Sequence, residues 1–177
     1  VLSIVFLVAC SGDSDNDNSS NGDNQGDGSE ENPVSTEPIK VGVLASLTGA
    51  LESYGKQTKN GFELGLEYAT GGTMEVEGRK IEVVWEDTET KPEVAVQKAT
   101  KLLEDDEVDF LVGSSSSGDT LAVLPLAEEY EKIMIVEPAV ADSITGSEFN
   151  KYIFRTARNS SQDAYAAAAA IADEGVK

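Results

Sequence analysis

The chain has 177 residues, with 33 acids against 13 bases and a formal net charge of −20; that length suits one ordinary domain and is short for two. An acidic balance of this size repels nucleic acid phosphates and anionic headgroups, so nucleic acid is not an expected partner. There is no histidine and a single cysteine, Cys10, which excludes Ser-His-Asp and Cys-His centres, imidazole metal sites and an internal disulfide.

Residues 1–9 form an apolar run that ends in Ala9, directly before Cys10. A bilayer span takes roughly 20 apolar residues, whereas a signal-peptide core takes about 7–15. No initiator Met or basic leader precedes the run, so the sequence reads as clipped at its start. Leu7-Val8-Ala9-Cys10 resembles the bacterial lipobox. The resemblance implies that Cys10 carries a lipid, that the protein is extracytoplasmic, and that it meets the membrane through this anchor. The competing reading is a fragment of a buried strand with a chance cysteine.

Residues 11–38 carry eight acids and no base, among Ser, Gly, Asn and Gln. Such a segment buries too little surface to offset its ordering entropy, and its charges keep it extended, as a tether requires. A calcium loop does not fit. The best register, with Asp17, Asn21 and Gly22, puts Gly28 where the closing glutamate belongs.

From Ile39 the pattern alternates. Ile39–Ala45 reads as a buried parallel strand. A helix is expected over 54–70, with Phe62, Leu66 and Ala69 on one face and Gly71-Gly72 ending it. A turn or short hairpin follows at 74–78, then a strand at 80–86. Pro92 opens a helix that runs to Asp105, with Val96, Ala99 and Leu103 at helical spacing. A strand at 108–113, a helix at 118–130 and a strand at Ile133–Val136 complete the run.

The expected fold is therefore α/β, a largely parallel sheet covered by helices on both faces, with its ligand crevice beyond the carboxyl ends of the strands. The loops to inspect are 46–53, 87–91, 114–118 and 137–143. A short crossing strand at 152–156 and an Ala-rich helix at 161–174 end the chain where another strand is expected. The first lobe is assigned to 39–156. The beginning of a second, cut-off lobe is assigned to 157–177.

Gly113 and Gly118 bracket four serines with the spacing of a phosphate loop, but Asp119-Thr120 replaces the Lys-Ser/Thr pair, and aspartate there repels a nucleotide. The loop is not Gly-x-Ser-x-Gly, and no Gly-x-Gly-x-x-Gly follows the first strand. Neither an enzyme nor a cofactor is expected. A serine-rich loop at a helix N-terminus is either a seat for a small carboxylate or a set of helix caps.

The run Ile39-Lys40-Val41-Gly42-Val43-Leu44-Ala45-Ser46-Leu47-Thr48-Gly49, then Ser53-Tyr54-Gly55, resembles the opening of leucine/isoleucine/valine-type periplasmic binding proteins. Glu86-Asp87-Thr88, Val112-Gly113 with its serines, Ile135 to Ala139, and Tyr152 to Thr156 continue the likeness in order. The resemblance implies a type I lobe that closes with a second lobe on a small-molecule ligand and delivers it to an ABC transporter permease. It implies that Ser116 and Ser117 meet a ligand carboxylate, that the Ala139 carbonyl accepts from an ammonium, and that Tyr54 lines the cleft. Tyr54 as an aromatic covering the first helix is the alternative. At Ala141, where relatives place a hydroxyl, only the backbone N–H remains, with Ser143 nearby, so the ligand is an amino acid or a related small carboxylate or amide. Asp87 is read as bracing its loop. A sensory ligand-binding module is the alternative function.

Overall fold

The computed structural model describes residues 36–174. The lipid-attachment reading of Cys10 and nearly all of the tether reading lie outside the described residues.

The elements run in the order β1 (Ile39–Ala45), α1 (Glu52–Ala69), β2 (Glu75–Val76), β3 (Arg79–Asp87), α2 (Pro92–Glu104), β4 (Phe110–Gly113), α3 (Ser117–Glu129), β5 (Ile133–Val136), β6 (Ile153–Arg155) and α4 (Ser160–Asp173). The strands form one sheet in the order β2-β3-β1-β4-β5-β6. Every neighbouring pair is parallel except β2 with β3. This is the largely parallel α/β sheet that was expected, and the apolar strand runs report it because a central parallel strand is buried on both faces. Val43, Leu44 and Ala45 of the central β1 have no exposed surface.

Alternation along each strand sorts the two faces. On one face Leu44, Leu111, Met134 and Val136 join Ala95, Ala99, Leu102 and Val123 of α2 and α3 in a single core. A Cβ on Gly42 would lie 3.0 Å from Leu102 and 3.1 Å from Val108, so β1 runs directly beneath α2. On the other face α1 lies over β3. Phe62 meets Trp85 edge-on, with ring centroids 5.7 Å apart. Ala69, expected on that buried face, is exposed, because the contact ends near Leu66.

Other departures are local. Val108 is buried but precedes β4. Its N–H bonds to the Leu102 carbonyl at 3.1 Å, and Glu107 before it has φ +52°, so a turn of α2 claims the residue. The 74–78 segment is a hairpin, with Glu77 (φ +50°) and Gly78 (φ +78°) between paired residues Val76 and Arg79. Positive φ at both central positions is the turn geometry that suits strand twist. A 3-10 turn at Asp142–Thr145 was not expected.

The chain leaves β1 towards β3 on one side of the sheet and leaves β4 towards β5 on the other. The carboxyl ends of β1 and β4 therefore mark the switch point, where such sheets open a crevice.

Candidate functional site

The four strand-end loops are tied together by side chains. Asp87, at the end of β3, accepts from the backbone N–H groups of Leu47, Thr48 and Glu89 at 2.9, 3.2 and 2.9 Å, and from the Thr48 hydroxyl at 2.6 Å. Burial opposes ionisation, but those four donors outweigh it and hold the carboxyl below the usual aspartate range. Asp87 thus braces the loop after β1. At the switch point the Ser46 N–H donates to Ser115 Oγ at 3.1 Å. Gly113 has φ +121°, and a Cβ there would lie 2.1 Å from the Leu44 carbonyl, so only glycine lets β4 turn this close to β1.

The serine loop divides its labour. Ser114 is fully buried and bonds Thr120 through both its N–H (3.2 Å) and its hydroxyl (3.1 Å). Ser116 is the N-cap of α3, accepting from the Asp119 N–H at 3.4 Å. Ser117 is the first helical residue, and its Oγ accepts from the Ala141 N–H at 3.2 Å. A hydroxyl that accepts there still has its own proton to donate. The caps and a carboxylate seat, competing readings in the sequence, are therefore compatible on neighbouring serines.

A cavity of about 290 Å³ opens at this point, lined by Tyr54, Ser115, Ser116, Ser117, Ala139 and Arg158, with Leu51, Pro138 and Val140. Of the five residues singled out from the sequence, Tyr54, Ser116, Ser117 and Ala139 come together here. Ala141 does not line the cavity and reaches it only through Ser117. Tyr54 is 56 % exposed, so it is not a core aromatic. It also borders a second concavity with Phe62 and Glu137. A larger hollow of about 520 Å³, between α1 and β3, is lined by Phe62, Leu66, Met74, Ile81, Val83 and Trp85, with Glu63 and Glu67. It lies along the sheet face, away from the strand ends.

Sequence reasoning missed two residues. Arg158 lies beyond the crossing strand, and only the fold of that crossing brings it to the cavity. Asp119 is fully buried, and neither carboxylate oxygen has a hydrogen-bond partner. Burial raises its pKa; the nearby hydroxyls of Thr88 and Ser116 offset this in part, and the charge of Glu93 adds to the rise. Its place three residues after the N-cap was visible; its burial was not. Among the described residues, no group of three His, Cys, Asp or Glu is placed to hold a metal.

An open α/β lobe with a largely apolar cavity that carries a few convergent polar groups at its switch point is the architecture of a small-molecule-binding half-site. The chain belongs to the periplasmic binding protein family, whose profile matches residues 38–177. It is 29 % identical over 138 residues to the Leu/Ile/Val-binding protein BraC3 of Rhizobium johnstonii, covering 77 % of this chain and 36 % of that one. Among solved structures it resembles an ABC-type branched-chain amino acid transporter protein from Rhodopseudomonas palustris (53 % identity, TM-score 0.70, 71 % of this chain and 34 % of that one). It also resembles an ABC transporter solute-binding protein from the same species in complex with 3,4-dihydroxybenzoic acid (31 % identity, TM-score 0.64, 71 % and 33 %). Two of these relatives are named as binding proteins and the third as a transporter, and the chain spans about a third of their length.

Proposed function

We propose that the protein is an extracytoplasmic solute-binding protein that presents a small carboxylate-bearing molecule, an amino acid or a relative of one, to an ABC importer. In this reading Cys10 carries a lipid anchor, residues 11–38 are the tether, and the cavity at Tyr54, Ser116, Ser117 and Ala139 is one wall of a cleft that a second lobe closes. The observation that carries it is the convergence of those residues on one cavity at the switch point, at the N-terminus of α3. Free N–H groups, hydroxyls and the helix dipole there favour a carboxylate. The names of the relatives agree with this chemistry: leucine, isoleucine, valine and 3,4-dihydroxybenzoic acid all carry that group.

The test is a thermal-shift screen of the complete, unlipidated protein against amino acids, short amides, urea and small carboxylates. A ligand at 100 times its Kd adds about 2.7 kcal/mol of stability, enough to move Tm by several degrees. A selective shift from a carboxylate-bearing compound supports the reading; a panel without any shift overturns it.

A further inference from the structure

Arg158 is the charged side chain in the cavity wall, and the backbone around it is held from two sides. Before it, β6 pairs with β5, and Arg155 donates from Nη1 to the Ala141 carbonyl at 2.9 Å. After it, the Ser160 N–H and hydroxyl both donate to the Val140 carbonyl, at 2.8 and 2.9 Å. Ser161 donates its hydroxyl to Asp142 Oδ2 at 2.8 Å. Asn159 caps α4 in a reciprocal bond pair with Gln162. The segment is thereby fastened to the loop that carries Ala139.

The guanidinium is oriented as well. Asp163 accepts from Arg158 Nε at 2.6 Å, and the Arg158 side chain stays 58 % exposed. This contact uses one edge of the planar fork and leaves the terminal Nη1 and Nη2 for another acceptor, the arrangement in which arginine grips a second carboxylate. The remaining cavity walls carry no acid. Of the acids nearby, Asp163 pairs with the Nε edge of Arg158, Asp142 accepts from Ser161, and Glu137 accepts from the Thr156 hydroxyl at 3.0 Å. Within the cavity wall itself, a carboxylate meets the free Nη edge of Arg158, whereas an ammonium finds no acid to pair with.

We propose that Arg158 reads an anionic group of the ligand, and that the site accordingly takes small organic acids without an ammonium group in preference to zwitterionic amino acids. This rests on the reading of the cavity as the ligand site.

The experiment is isothermal titration of the complete protein with two matched pairs: 4-methylpentanoate against L-leucine, and 3,4-dihydroxybenzoate against its amide. Each acid should bind at least about tenfold more tightly than its partner. R158Q should remove that preference without moving the Tm of the unliganded protein by more than a degree or two. D163N, which keeps the guanidinium and frees its Nε edge, should retain the preference. Tighter binding of leucine than of 4-methylpentanoate overturns the inference, as does an R158Q protein with unchanged affinity for both acids; either result leaves the ligand site itself standing. Binding of none of the four compounds by the wild-type protein overturns the ligand-site reading along with this one.

Discussion

The backbone N–H of Ala141 donates to the hydroxyl of Ser117 across 3.2 Å, joining the loop after β5 to the first turn of α3. The bond occupies one lone pair of the Ser117 hydroxyl, leaves its proton to donate, and makes Ala141 an indirect participant. Ser117→Ala removes that hydroxyl and leaves the Ala141 N–H without its acceptor. Ligand affinity in the complete protein should fall by about 1–3 kcal/mol, read by titration calorimetry. Unchanged affinity would reduce Ser117 to a residue that only ties two loops together.

Two glycines of α1 make opposite predictions. A Cβ on Gly55 would lie 2.1 Å from the Ser46 carbonyl, whereas one on Gly65 meets nothing within 4 Å. Gly55→Ala forces the helix off the β1 loop and should cost about 1–3 kcal/mol or more. Gly65→Ala only removes backbone freedom from the unfolded chain and should add about 0.5–1 kcal/mol. Urea denaturation of the two variants gives both signs in one experiment.

Asp87 should support stability in a pH-dependent way. Its folded-state pKa is depressed, so its contribution is complete above the ordinary aspartate range and is lost as the pH falls through the lower folded value. Asp87→Ala should cost about 1–2 kcal/mol at neutral pH, a figure reduced for partial exposure. Its deficit relative to wild type should shrink on acidification. A deficit constant with pH would assign the effect to packing alone.

Asp119 carries the opposite sign. Its folded-state pKa is raised, so the folded protein holds a proton that the unfolded chain has released, and stability falls as the pH rises from the ordinary aspartate range through the raised value. Asp119→Asn keeps the shape and removes the ionisation. It should raise Tm at neutral pH, with the gain vanishing in acid. A variant less stable than wild type at neutral pH would show that the anion has partners it needs.

The strands were readable because burial on both faces of a parallel sheet leaves predominantly apolar runs, as in Val41–Ala45 and Met134–Val136. Val108 defeated that rule: it is as apolar as a strand residue, but α2 holds its N–H. The crevice rule directs attention to the serine loop and to 137–143, because they follow strands; Tyr54 and Ala139 were singled out by the family resemblance. Arg158 could not be placed, since its approach depends on Ser160 and Ser161 meeting Val140 and Asp142, 20 and 19 positions away. Local pattern carries no trace of that meeting. Ala141 was read as a ligand donor because the resemblance puts a carboxylate donor at that position and only the backbone N–H remains there; the acceptor of that N–H lies 24 positions earlier.

No residue of α4 is buried, while its first turn is fastened to Val140 and Asp142. The part of the helix that bears on the cavity is its first turn, which Ser160 and Ser161 join to Val140 and Asp142. Arg158 lies two residues before Ser160, so a substitution at either serine is transmitted to the cavity wall through a very short stretch of chain.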